Sequence, residues 1–193
     1  TDADIVICDF MQCFDSGEKR CTRAVNDGNY LSAAGAVWNM LFRRSHIGDV
    51  RFPQGVWYED FSFSAKLSMG TDKIAGINEA LYYYRCGQTS TMNNNNARKN
   101  LDIITVMDDV KHFMLENNLK GIDYLILNHM LIESVNRLEL QTNREKKAVI
   151  AKVRGYIKEN IPHLVKCEAF RAEKRNRRII MFLNYHGMEK LSR

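Results

Sequence analysis

Phe52-Pro53-Gln54-Gly55-Val56-Trp57-Tyr58-Glu59-Asp60-Phe61 is the stretch on which the fold turns. Pro53 and Gly55 mark a turn. It delivers two adjacent carboxylates to a run carrying Phe61, Phe63, Ala65, Lys66 and Leu67, closed by Gly70, and so predicts a helix over 59–69. Acidic residues in a first turn are favoured by the helix dipole at ~0.3–1 kcal/mol each, which is the plain account of Glu59 and Asp60. A chemical account stands beside it. The chain ahead of a helix can be exposed while the helix body anchors it, and that is where an enzyme can hold a general base. Adjacent helical positions point about 100° apart, so the two carboxylates cannot share one role.

Outward from this helix, both flanks read as strands. Upstream, residues 4–14 alternate weakly and are rich in Ile, Val, Cys and Phe, as in a buried strand or strand pair, and Asp15-Ser16-Gly17-Glu18 is a turn. Tyr30 to Gly35 reads as a short helix, Val37–Arg43 as a strand or tight buried segment, and Ser45–Ile47 as a helical turn. Downstream, Lys73–Ile77 and Ala80–Arg85 are β-branched or aromatic and read as two strands separated by Asn78-Glu79. Gly87 to Asn96, with four consecutive Asn, reads as a mobile loop.

Beyond residue 96 the period changes. Ile103, Val106, Met107, Val110, Phe113 and Met114 recur at helical spacing, with Asn117-Asn118 as the stop. Tyr124 to Leu140 predicts a second helix, apolar enough to be central. Val149, Ile150, Val153, Tyr156 and Ile157 mark a third, ending near Pro162, and Cys167 to Leu191 a basic amphipathic helix or helix pair. The expected fold class is α/β, an incomplete mixed sheet with flanking helices over 1–96, followed by an all-helical region over 97–193.

Four pieces in order resemble the second half of bacterial family 2 glycosyltransferases, which have the GT-A fold. They are Asp4-Ile5-Val6-Ile7-Cys8-Asp9-Phe10, Val37-Trp38-Asn39-Met40-Leu41-Phe42-Arg43-Arg44, the quoted Phe52–Phe61 stretch, and Leu81-Tyr82-Tyr83-Tyr84-Arg85. The resemblance covers residues 3 to about 95, roughly half the chain. It implies that Asp60 is the base that takes the proton from the attacking acceptor hydroxyl. Glu59, Asn39 and Trp38 would then border the acceptor. Trp38 also suits simple core packing, and Asn39 suits tying down the loop that carries Glu59.

The same resemblance places Arg85, Gln88 and Ser90 near the donor diphosphate, which a guanidinium fork can bind through two oxygens at once. Gly87 stands where a second Arg is common in the family. A divalent metal, Mg or Mn, is expected for the parent enzyme. Its D-x-D motif is not Asp2-Ala3-Asp4, because these residues open the strand that follows the metal-bearing one, and a three-residue match has almost no specificity. The metal motif and the nucleotide-binding βαβ region are both missing from the 193 residues. The chain is therefore expected to be the C-terminal portion of the enzyme and inactive alone.

Composition sets outer limits. At 45% hydrophobic and 26% charged the chain has globular character, and no apolar run approaches the roughly 18–20 residues that span a bilayer. Cys8, Cys13, Cys21, Cys86 and Cys167 form an odd set without C-x-x-C, which suits free thiols in a reducing cytoplasm rather than disulfides or zinc. The net charge of +5 lies wholly in residues 166–193, with eight Lys/Arg against three Asp/Glu, while residues 1–165 balance. Lys174, Arg175, Arg177 and Arg178 precede Ile179, Ile180, Phe182 and Leu183. This pattern fits either a solvated helix face or an interfacial helix, over 171–191, on an anionic membrane surface. Its aromatics are not interleaved with cations as nucleic-acid stacking would require. The expected partners are thus a nucleotide-sugar donor, a saccharide or lipid-linked acceptor and an anionic inner-membrane face. The alternative is a non-catalytic helical interaction or membrane-surface adaptor module.

Overall fold

A computed structural model describes residues 2–25, 30, 35–87, 96–139 and 145–188. The protein is mixed α/β, and the chain divides into two compact units, residues 1–94 and 95–193. The short helix expected over Tyr30–Gly35 and the loop expected over Gly87–Asn96 lie largely outside the described residues.

The first unit is built on β1 (Ile5–Phe14), the central strand of a four-stranded mixed sheet. β4 (Ile74–Cys86) runs parallel along one side of β1. On the other side, β3 (Met40–Phe42) pairs antiparallel with Ile5–Ile7, and β2 (Lys19–Thr22) with Phe10–Cys13. The β1–β2 hairpin closes through Gly17, whose φ of +86° suits glycine, with its N–H donating to Phe14 O at 2.9 Å. Side chains alternate across a strand, so Ile5, Ile7 and Asp9 share the buried face of β1 while Phe10 points to the other.

The two strands read at 73–77 and 80–85 are one continuous strand of 13 residues. Opposite Cys8, Asp9 and Phe10 stand Ile77, Ala80 and Tyr82, so Asn78-Glu79 and Leu81 are set out of the ladder as bulges. Because β1 continues unbroken beside them, pairing resumes after the extra residues instead of ending there.

A parallel pair needs a crossover, and α2 (Glu59–Met69) lies on it, after the short α1 (Arg44–Ile47). The helix has the bounds its pattern predicts, and the Gly70 N–H closes it onto Leu67 O. Phe63 and Leu67 join Ile5, Ile7 and Met40 in the core, with Val37, Phe42, Ile47, Val50 and Ile74 packed around them.

The second unit is helical: α3 (Asp102–Glu116), α4 (Ile122–Leu125), a π-helix (Ile126–Ser134), α5 (Val135–Glu139), α6 (Lys146–Asn160), α7 (Glu168–Ala172) and α8 (Arg175–His186). Ile103, Val106, Met107, Val110 and Met114 of α3 and Val149, Ile150, Val153 and Ile157 of α6 are buried, as their period requires. The second predicted helix differs in its winding, because its middle is a nine-residue π-helix. Side chains take up carbonyls there: Ser134 Oγ donates to His129 O at 2.9 Å and Asn184 Nδ2 to Leu131 O at 2.9 Å. The tail is a helix pair, broken where Glu173 and Lys174 turn extended. No helix among the described residues is long and apolar enough to cross a membrane.

Candidate active site

In a strand–helix–strand crossover the helix runs back against parallel strands, so its N-terminus lies toward their carboxyl ends. Two contacts fix that sense here. Thr71, just after α2, donates to Asp4 Oδ2 at 2.7 Å, and His46 Nε2 contacts Leu67 O at 2.9 Å. The C-terminus of α2 therefore sits at the start of β1, and Glu59-Asp60 sit toward the other end. Sites in open α/β sheets form at the carboxyl ends of parallel strands.

The loop that presents the pair is held locally. Arg51 Nη1 donates to Gly48 O and Val50 O at 2.8 and 2.9 Å. Phe52 stacks on Phe63 with centroids 4.1 Å apart and an 8° interplanar angle, so the loop is pinned to the body of the helix it precedes. Tyr58, the residue before α2, has φ +67° and ψ +24°, a left-handed conformation unusual for a bulky residue. Such a conformation is retained only where surrounding structure fixes it, and such positions cluster at functional sites.

Glu59 is exposed and Asp60 half-buried, as expected for neighbours about 100° apart. Asp60 Oδ1 accepts the Phe61 N–H at 2.8 Å, which satisfies a first-turn amide and orients the carboxylate. Ser64 Oγ donates to Asp60 O at 2.8 Å and accepts the Gly35 N–H at 3.0 Å. That hydroxyl ties the segment leading to Trp38 and Asn39 onto the first turn of α2. Nothing in the sequence singles out Tyr58, and the one sign of Ser64 is its place between Phe63 and Ala65 in the helical run.

Trp38 lies across two tyrosines of β4, with centroids 4.9 Å from Tyr84 at 22° and 4.7 Å from Tyr82 at 32°, and meets Phe10 edge-on at 4.8 Å. This aromatic group occupies the sheet face opposite the α2 core, since Phe10 alternates with Ile7 and Asp9. Asn39 is 5% exposed. Its Nδ2 donates to Cys8 O at 2.9 Å, and Cys8 N–H donates to Asn39 O at 3.0 Å. Asn39 thus ties β1, not the loop carrying Glu59, because it directly precedes β3 and β1 offers the adjacent carbonyl. Its Oδ1 is buried with no hydrogen-bond partner among the described residues.

Arg85 is exposed near the end of β4, opposite Cys13. The eight steps along β1 from Ile5 to Cys13, the partner of Arg85, span about 26 Å, against about 16 Å for the 11-residue α2. Arg85 therefore lies beyond the level of the α2 tip, on the arm formed with β2 and the second half of β1. Gln88 and Ser90 lie outside the described residues.

Asp2 and Asp4 have partners of their own. Asp2 meets Lys73 Nζ at 3.1 Å and Arg43 at 3.3 Å, and Asp4 meets Arg43 Nε at 3.2 Å. Hydrogen bonding and charge from Lys73, then the charge of Arg43, hold the Asp2 carboxyl below its ordinary range. Their donor set, filled by cations, does not fit a divalent metal. Among the described residues no group of three or more His, Cys, Asp or Glu side chains could hold one. No family model matches the chain, and no curated protein matches it either.

Proposed function

We propose that this chain is the acceptor-side part of an inverting family 2 glycosyltransferase of GT-A type. The observation that carries the reading is Asp60, half-buried and oriented by the Phe61 amide in the first turn of α2, at the end of the crossover where ligands bind parallel strands. Asp60 accepts the proton of an acceptor hydroxyl. The hydroxyl oxygen bonds to the anomeric carbon of the donor as the bond to the nucleoside diphosphate breaks, and the diphosphate leaves with the electron pair. A single in-line displacement inverts the anomeric centre. Base assistance of this kind contributes roughly 10²–10⁴ in rate. Exposed Glu59 would accept a hydrogen bond from a neighbouring sugar hydroxyl.

Arg85, with Gln88 and Ser90, is proposed to approach the donor diphosphate. Asp2 and Asp4 are held by Arg43 and Lys73, so the Mg or Mn expected for the parent enzyme would not bind at these two carboxylates. The parent enzyme would build a surface polysaccharide from the cytoplasmic side of the inner membrane.

Saturation-transfer NMR with two ligand classes tests this. Mono- and disaccharide glycosides should bind, and no nucleotide-sugar should turn over. Nucleotide binding without saccharide binding, or turnover by the chain alone, would overturn the reading.

A further inference from the structure

We propose that α8 is a docking surface for an anionic phospholipid bilayer, lying in the headgroup plane. This is independent of the sugar-transfer reading.

The inner side of α8 is accounted for by Met181, Asn184 and Tyr185, which are buried in the helical unit. Tyr185 OH donates to Ile161 O at 2.9 Å, and Asn184 is anchored through Leu131 O. A surface helix should be polar on its opposite side. Here that side carries Ile179, 51% exposed, and Phe182, 40% exposed. With Phe170, Leu183, Arg175 and Arg178 they line a shallow groove of about 310 Å³.

The formal charge on α8 itself has one sign. Residues 175–186 contain three Arg and one His and no acidic residue. Arg177 is used within the fold, pairing with Glu173 at 2.8 Å and donating to Asn128 Oδ1 at 2.5 Å. Arg175 and Arg178 have no ion-pair partner among the described residues, and the Arg178 Nε is buried without a hydrogen-bond partner among them. Two cations beside an apolar strip complement a surface that is negative at the headgroups and apolar beneath. The helix is too short and too charged to span, so it lies on the bilayer. A nucleic acid would match the charge but not the strip.

Flotation of the full chain with phosphatidylcholine vesicles, with and without phosphatidylglycerol, tests the proposal. Binding is expected only with the anionic lipid. A phosphate-surface cation contributes about a fivefold factor in partitioning, so Arg175→Gln/Arg178→Gln should weaken binding about 25-fold. Ile179→Ser/Phe182→Ser replaces exposed side chains, so helicity by circular dichroism should persist while flotation is lost. Equal binding to neutral vesicles, no binding to either, retention of binding by the serine variant, or displacement from vesicles by single-stranded RNA would each overturn the proposal.

Discussion

The stacking of Phe52 on Phe63 holds the acidic loop against its helix, and its strength is measurable. Phe63 is 6% exposed, with Phe52 stacked on it at 4.1 Å and Phe42 edge-on at 5.4 Å. Phe63→Ala should cost about 3–5 kcal/mol, a large share of the roughly 5–15 kcal/mol that holds a domain together. Phe63→Leu keeps most of the volume and should cost about 1–1.5 kcal/mol. Phe52 is 45% exposed, so Phe52→Ala loses roughly half of a full phenylalanine burial, about 1 kcal/mol. An aromatic pair adds about 0.5–1.5 kcal/mol beyond area, and the wet outer ring puts this one near the lower half of that span. Phe52→Ala, Phe63→Leu and the double variant should therefore show a coupling of about 0.5–1 kcal/mol. Urea unfolding followed by tryptophan fluorescence reads the first unit, since Trp38 and Trp57 are the chain's two tryptophans and both fall in residues 1–94. Strict additivity of the single effects would refute the idea that this stack secures the loop.

Further outcomes follow from the charges and the helical unit. The Asp2 carboxyl is held low by Lys73 and Arg43, so its contribution is present above the ordinary carboxylate range and is lost as pH falls through its depressed value. Asp2→Asn should flatten the acid limb of stability below about pH 4, and an unchanged limb would contradict the clamp. Burial, and then the 2.6 Å bond to Asp108, push the Tyr156 phenol up. Its contribution is complete below about pH 10 and declines as pH rises beyond that. Tyr156→Phe should remove this alkaline decline at a neutral-pH cost of about 1 kcal/mol, read by denaturation across pH. Mg or Mn should leave the melting temperature of the chain unchanged, because Asp2 and Asp4 are held by Arg43 and Lys73; a saturable rise would contradict that.

Local patterns were the legible part. Pro53, Gly55, the acidic pair and Gly70 bracket α2 because turn chemistry, dipole preference and helix termination all act within a few residues. The α3 and α6 stripes were readable for the same reason. Features set by long-range contacts were not. Asn78-Glu79 reads as a strand break, yet β1, some 70 residues earlier, supplies a continuous partner that turns the break into a bulge. Asn39 bonds to Cys8, and Ser64 to Gly35, through the packing of distant segments. The π-helix depends on Asn184 reaching Leu131 from another helix. At the candidate site, the position of Asp60 on its helix was readable. The conformation of Tyr58 was not, since nothing in a tyrosine's chemistry favours a left-handed backbone.

The role given to Asp60 is best examined by titrating the ¹⁵N-labelled chain with saccharide glycosides and following backbone amide shifts. An acceptor seated at the helix tip should move the amides of residues 58–62. Glu59→Gln should weaken that response, and Asp60→Asn should leave an acceptor-bound state that can no longer take up a proton. Shifts confined to the helical unit, or none at all at saturating glycoside, would mean that the first turn of α2 holds no acceptor.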